Sequence, residues 1–267
     1  IVNAQRELRR FPDLELHIVT CRSEISRAQM VRDDSLTVTY LPRQRFGRIT
    51  WHYQDVRAIL PVLRHLAPDL IHAHGSGFYA GAALASGIPT VTTVHGILSQ
   101  EARLLRGWPN RLRGQLDAAY ENCVIRRARH LIIISPYVEQ VFGRRFTGQA
   151  YCIENPCNDR FFDLSRRPIP GRLFFSGYVC ARKGVLPLLK ALSLLRASHS
   201  GAHLRIAGYT QIEADYYRLC ADYVRHAGLE GAVTFLGQLT QEQILEEYAT
   251  CAALVLPSFQ ETAPVVI

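Results

Sequence analysis

No apolar run in this sequence is long enough to cross a bilayer. The longest, "HLIII" and "CAALVL", fall far short of the ~20 residues that a spanning helix needs. No two of the 7 cysteines (Cys21, Cys123, Cys152, Cys157, Cys180, Cys220, Cys251) stand as C-x-x-C, which removes the zinc ribbon and the dithiol redox pair. Most sit in apolar runs and read as buried, reduced thiols of a cytosolic protein. No repeat of solenoid period is visible. Acid is scarce, with 23 Asp and Glu against 31 Lys and Arg and a net charge of +8. The excess is mostly arginine, and it points either to anionic partners or to a basic surface with none. The ends also lack the usual signals. The chain opens at Ile1 in what reads as mid-helix, without an initiator methionine, and stops at Ile267 without a cap or polar tail. Both ends read as cut.

What is present is an α/β pattern. A length of 267 residues with 48% hydrophobic, 20% charged and 9% aromatic content suits two cores better than one. Short β-branched runs are expected as strands at 15–20, 36–41, 70–73, 90–94, 131–134 and 151–153. Amphipathic stretches at 54–66, 78–86, 111–129 and 137–144 are expected as helices. A second series follows, with strands at 173–176, 204–207, 233–236 and 253–256 and helices at 185–197, 213–227 and 241–249. Such alternation predicts parallel sheets covered on both faces. The proline-rich segment "NPCNDRFFDLSRRPIPGR" separates the series, which gives domains 1–165 and 166–267. In open sheets of this kind ligands lie at the carboxyl ends of the strands, and those ends here carry "HAHGSG", "VHG", "SGY" and "AGY".

Several of these ends can carry chemistry. Gly75, Gly77 and Gly81 follow a strand and open a helix, as a dinucleotide loop would. The acid that should end the next strand is missing, however, and that strand runs into His95. The alternative is that the glycines allow close packing. His72 and His74 share one strand face, as two metal ligands would, but no third ligand is near. His95, with Gly96 behind it, is either a ligand contact or a structural histidine. Lys183 stands immediately before a helix, where ammonium and helix dipole act on one anion. Glu261 follows the last strand, where a carboxylate can accept sugar hydroxyls or cap a coming helix.

Taken in order, these segments resemble the retaining GT-B glycosyltransferases of the group 1 and family 4 type. "PTVTTVHG" resembles the segment ending in the family's active-site histidine, matched by His95. "LIIISPYVEQVF" resembles the strand and turn that follow, and "CIENPCNDRFF" the asparagine-containing interdomain segment, matched by Asn155. "FSGYVCARKG" resembles the phosphate loop, and "VLPSFQETAPVVI" the start of the segment with two glutamates. The likeness covers most of the chain. It implies two Rossmann-like doubly wound domains facing across a cleft, both truncated: the first without its first strand, the second without its C-terminal part.

The implied reaction moves a sugar from a nucleoside diphosphate sugar to a carbohydrate or lipid-linked acceptor with retention of configuration. No metal or other cofactor is implied, and the D-x-D of the metal-dependent GT-A kind is absent. His95, Lys183 and Glu261 match the catalytic positions. Gly177, Tyr178, Arg182, Thr262, Ala263 and Val265 match donor-binding ones, and Asn155 and Gly75 belong at the interdomain cleft. Tyr178 stands where the family has a phosphate-binding arginine, and Arg182 is the candidate to compensate. The second glutamate would fall beyond Ile267. The fragment as given is therefore expected to be inactive. A catalytically degenerate sugar-nucleotide-binding protein is the alternative reading, and a Rossmann-type NAD-dependent oxidoreductase is a weaker one.

Charge alone does not argue for nucleic acid, and none is expected as a partner. One local concentration does stand out. Arg103, Arg106, Arg111, Arg113, Arg126, Arg127 and Arg129 interleave with Leu104, Leu105 and Trp108. Such a stretch is either a solvated helix face or a peripheral contact with an acidic membrane surface. The expected location is the cytoplasm, with the inner face of the membrane as the place of any such contact.

Overall fold

A computed structural model of the chain describes residues 11, 13–33, 36–44, 46–105 and 107–266. The expected opening helix at Ile1, Arg106 and the terminal Ile267 lie outside them. The chain forms two compact units, Ile1–Glu154 and Asn155–Ile267.

In the first unit β1 (Leu16–Arg22) and β3 (Leu36–Pro42) run parallel, with Leu16 opposite Leu36 and Arg22 opposite Pro42. Strand β2 (Gln29–Asp33) adds to β3 in the antiparallel sense. It was not expected from sequence, because "QMVRD" neither alternates nor is buried: Met30 and Val31 are exposed. A second sheet runs β4 (Ile71–His74), β5 (Thr90–Val94), β6 (His130–Ile133), β7 (Gln149–Cys152), all parallel and in that order. Helices α1 (Tyr53–Leu66), α2 (Phe78–Ser86), the short α3 (Leu98–Glu101), α4 (Trp108–Arg127) and α5 (Pro136–Phe142) connect them. The core joins Leu41, Ile59, Leu63, Phe78, Tyr120 and Val124, and each such large side chain contributes about 1.5–3 kcal/mol by burial. Helix α2 is built for close approach. Ala80, Ala82 and Ala83 are fully buried, and a Cβ on Gly81 would come within 2.0 Å of the Tyr120 hydroxyl. Gly81 therefore serves packing.

The second unit has one parallel sheet. Its strands β8 (Arg172–Ser176), β9 (His203–Ala207), β10 (Val233–Gly237) and β11 (Ala253–Leu254) lie in the order β10-β9-β8-β11. Helices α6 (Val185–Arg196), α7 (Ala214–His226) and α8 (Gln241–Thr250) follow the strands. Successive strand residues face opposite sides, and both sides are covered. Phe174 packs with Ala207, Cys251 and Tyr248, while Phe175 packs with Leu189, Leu204, Ile206 and Cys220. A capping box sets the start of α8: Thr240 Oγ1 accepts from Gln243 N at 3.3 Å, and Gln243 Oε1 accepts from Thr240 N at 2.8 Å. In chain order the sheet reads 3-2-1-4, the Rossmann half-order, so its switch point lies between β8 and β11.

Candidate active site

The loops after β8 and β11 meet at that switch point. Gly177 ends β8 with φ 155° and donates its N–H to Ala207 O at 2.9 Å. A Cβ on Gly208 would lie 1.9 Å from Gly177 O, so the ends of β8 and β9 fit together only because Gly208 is bare. A 3₁₀ turn, Ala181–Lys183, then leads to Gly184, which caps α6 with φ 70°. A Cβ on Gly184 would come within 2.3 Å of Pro257 O. That contact seats the turn on the segment leaving β11. Arg182 completes the seam: its carbonyl accepts from Phe259 N at 2.9 Å and its guanidinium donates to Gln260 O at 2.8 Å.

Two residues 78 apart in sequence are thereby brought together. Lys183 Nζ donates to Glu261 Oε1 at 2.5 Å, and Arg182 Nη1 stands 3.7 Å from Glu261 Oε2. The pair is mostly shielded, with side-chain exposures of 12% for Lys183 and 20% for Glu261. Helix α6 adds its dipole but few free donors. Leu186 N already donates to Tyr216 Oη at 2.8 Å, and Pro187 has no N–H. Positive charge at this point therefore comes mainly from Lys183 and Arg182. Tyr178 is 51% exposed. Ala263 is half-buried, Val265 is exposed, and residues 262–266 form bends and a turn rather than the helix expected after Glu261. Asn155, the first residue of the second unit, is half-buried in the coil before Pro156.

In the first unit the ends of β4 and β5 gather histidines. His74 Nδ1 lies 2.9 Å from His95 Nε2, with the rings stacked at 5.2 Å and 8°. His72 is engaged separately, its Nε2 2.7 Å from Thr93 Oγ1. Desolvation at the strand end, then the neighbouring His72 and His95 rings, push His74 down to about 4, so it is neutral near pH 7. The His74–His95 contact is thus a hydrogen bond in which one ring donates and the other accepts. Among the described residues no group of three or more His, Cys, Asp or Glu side chains is disposed to hold a metal. Gly75 leaves β4 with φ 93° and donates to Thr93 O at 2.8 Å, which fixes the turn into Ser76.

Sequence reasoning missed the residue that ties these ends together. Glu121, on α4, is fully buried. It accepts from Ser76 Oγ at 2.5 Å, from Leu98 N at 3.2 Å and from Ser99 N at 3.2 Å. One carboxylate thereby joins the turn after β4 to the segment after His95 and Gly96. Burial raises its pKa, and the three donors only partly offset this. A signal was present: Glu121 lies on the same helix stripe as buried Gly114, Ala118 and Ile125, where a carboxylate is out of place unless it is bonded.

Two family models match the chain. The model for Glycosyltransferase Family 4 matches residues 1–159, and that for Glycosyl transferases group 1 matches residues 170–267. The chain belongs to glycosyltransferase family 4. The uncharacterized glycosyltransferase YqgM of Bacillus subtilis is 26% identical over 201 residues, covering 72% of this chain and 53% of YqgM. The chain spans about half the length of the curated relatives it matches. Among solved structures, sucrose-phosphate synthase of Thermosynechococcus elongatus aligns with a TM-score of 0.75 at 18% identity, covering 99% of this chain and 71% of that one. Anabaena Alr3699/HepE, in complex with UDP and glucose, aligns at 0.60 and 19% identity, covering 85% and 62%. These are GT-B structures, and the two Rossmann-like units of this glycosyltransferase have the same fold.

Proposed function

We propose that this glycosyltransferase transfers a sugar from a nucleoside diphosphate sugar with retention of configuration, and that its second unit holds the donor. The observation that carries this reading is the Lys183–Glu261 pair at the switch point of the second sheet. A donor sugar has an anionic diphosphate joined to a hydroxyl-rich ring, and the pair offers a cation for the first and an acceptor for the second. Lys183 and Arg182 take the diphosphate, and Glu261 takes sugar hydroxyls. Gly177, Tyr178 and the backbone at Thr262, Ala263 and Val265 line the rest of the donor site. His95, the Gly75 turn and Asn155 take further roles in the same reaction.

In the transition state the bond between the anomeric carbon and the phosphate oxygen breaks. The acceptor oxygen bonds to that carbon on the same face, and its proton passes to the departing diphosphate. The developing negative charge falls on the oxygens nearest Lys183, where a placed cation stabilises it most. With Lys183 and Arg182 in place the reading calls for no metal and no other cofactor. The acceptor is a carbohydrate or lipid-linked hydroxyl, and the free thiols of all 7 cysteines suit a reducing cytoplasm.

The test is release of nucleotide from UDP-, GDP- and ADP-sugars by the longest natural form of the protein, without added metal. Slow release that Lys183→Ala abolishes is the expected result, and it names the donor. A second reading rests on Tyr178, which brings no charge to the phosphate side. Donor binding in a calorimeter with no turnover of any donor would favour that non-catalytic, sugar-nucleotide-binding reading.

A further inference from the structure

The first unit carries an exposed surface that the donor chemistry does not use. Two segments build it, 43–53 after β3 and 102–116 after β5, and neither contains an aspartate or glutamate. They meet in space. Arg48 Nε donates to both oxygens of Asp117 at 2.8 and 3.1 Å, and Trp51 sets its ring against Tyr120 edge-on at 5.7 Å. Of the acids that flank the segments, Glu101 is half-buried, and Asp55 and Asp117 are turned inward. Asp55 and Asp117 hold opposite nitrogens of buried His52 at 3.0 and 3.3 Å. What faces outward is arginine and large apolar side chains.

The exposures are unusual for such residues. Ile49 is 79% exposed, Trp108 76%, Phe46 60%, Leu112 50% and Trp51 44%. The stretch 107–113, which opens α4, is exposed at every position, so it protrudes and forms no groove. Arg111 and Arg113 flank Leu112 on it. The first segment leaves the carboxyl end of β3, and the second follows α3 in the connection that starts with His95.

We propose that this surface docks on an anionic lipid bilayer, with Trp51, Trp108, Ile49 and Leu112 entering the interface and Arg111 and Arg113 meeting the headgroups. Aromatic rings with one polar edge settle at a membrane–water boundary, and arginines beside them gain from an acidic leaflet. Protruding aliphatic tips suit hydrocarbon better than the stacking faces of bases. The surface occupies only the acid-free first half of the basic stretch noted in the sequence: Arg126 and Arg127 close α4 at its far end. Among the described residues no helix is long and apolar enough to cross a membrane.

Trp51 and Trp108 are both on this surface, and the emission that a Trp51→Phe, Trp108→Phe variant loses is a local probe of it. The experiment adds the full natural protein to phosphatidylcholine vesicles with and without about one part in three phosphatidylglycerol. Expected are sedimentation with the anionic vesicles only, weaker at high salt, a blue shift, and quenching by bromine-labelled lipid. Arg111→Gln with Arg113→Gln should weaken partitioning roughly 30-fold, and Ile49→Ser about tenfold. Absence of binding to anionic vesicles would overturn the proposal, as would binding that leaves both tryptophans unquenched. A single-stranded oligonucleotide that quenches both tryptophans, with vesicles having no effect, would assign the surface to nucleic acid instead. None of these readouts depends on nucleotide-sugar chemistry, so failure here leaves the donor site untouched.

Discussion

Two helix-borne glutamates, Glu121 in the first unit and Glu247 in the second, are buried to 0% and 6% exposure, yet they titrate in opposite directions. Glu247 of α8 is clamped by Arg205 through both of its oxygens and by Arg172 at 3.0 Å. Burial would raise its pKa, but the two guanidiniums outweigh that and hold it low. Among the described residues Glu121 is paired with no cation. Its partners are a hydroxyl and two backbone N–H groups, and burial raises its pKa. A carboxylate fully compensated by charge holds a unit together. One compensated only by neutral donors costs stability at neutral pH, and the return here is the placement of two loops beside His95. Depth of burial therefore does not tell a structural acid from a positioning one; the kind of partner does.

The largest way to break that comparison is Glu247→Ala. It strands Arg172 and Arg205, whose side chains are 15% and 26% exposed. The second unit should lose about 3 kcal/mol, somewhat below the cost for fully buried pairs. Urea unfolding checks this, and a loss under ~1 kcal/mol would make the clamp a surface bridge. Glu121→Ala should act on turnover. With Ser76, Leu98 and Ser99 released, kcat falls about 100-fold while donor affinity by calorimetry stays within a few-fold. Unchanged turnover would remove Glu121 from the positioning role.

Acid separates the two glutamates further. Because the Glu247 pKa is depressed in the fold, its stabilisation is complete above the ordinary value of 4.5 and is lost as pH falls through the depressed value. For Glu121 the shift is upward. Its contribution is complete below 4.5 and is lost as pH rises through the raised value. Glu121→Gln should accordingly flatten the stability of the first unit above pH 4.5, and Glu247→Gln that of the second below it, as pH-dependent melting would record. The smallest effect is expected at His74. His74→Ala deprives His95 of one hydrogen bond, for about a fivefold loss of kcat. His74→Asn, which keeps an amide near the Nδ1 position, restores most of it. A loss of equal size in both variants would count against hydrogen bonding as the cause.

The parts of the molecule legible in the sequence share a local cause. Strands such as "TVTTV" and "RLFFS" are continuous or alternating apolar runs, and helices such as 185–196 carry their own period and stop signals. Lys183 and Glu261 were each legible at a strand end, but their pairing was not, since nothing local places residues 78 positions apart within 2.5 Å. Strand β2 and the four-residue α3 carry too few apolar positions to show a period. Glu121 was missed because its donors come from 45, 23 and 22 positions upstream. Its hint was an acid in an apolar stripe, and it was passed over among the many arginines of the same helix.

The Lys183–Glu261 contact has one more consequence. Each side chain already neutralises the other, and both are largely out of water. Inorganic phosphate arriving at Lys183 would leave Glu261 shielded with only the more distant Arg182, 3.7 Å away, while a neutral sugar arriving at Glu261 would leave the ammonium of Lys183 without its carboxylate. Either ligand alone pays for breaking the pair and compensates only half of it. On the proposed donor chemistry, a molecule with anion and hydroxyls covalently joined would answer both ends at once, and the resting pair would select it over its separate halves.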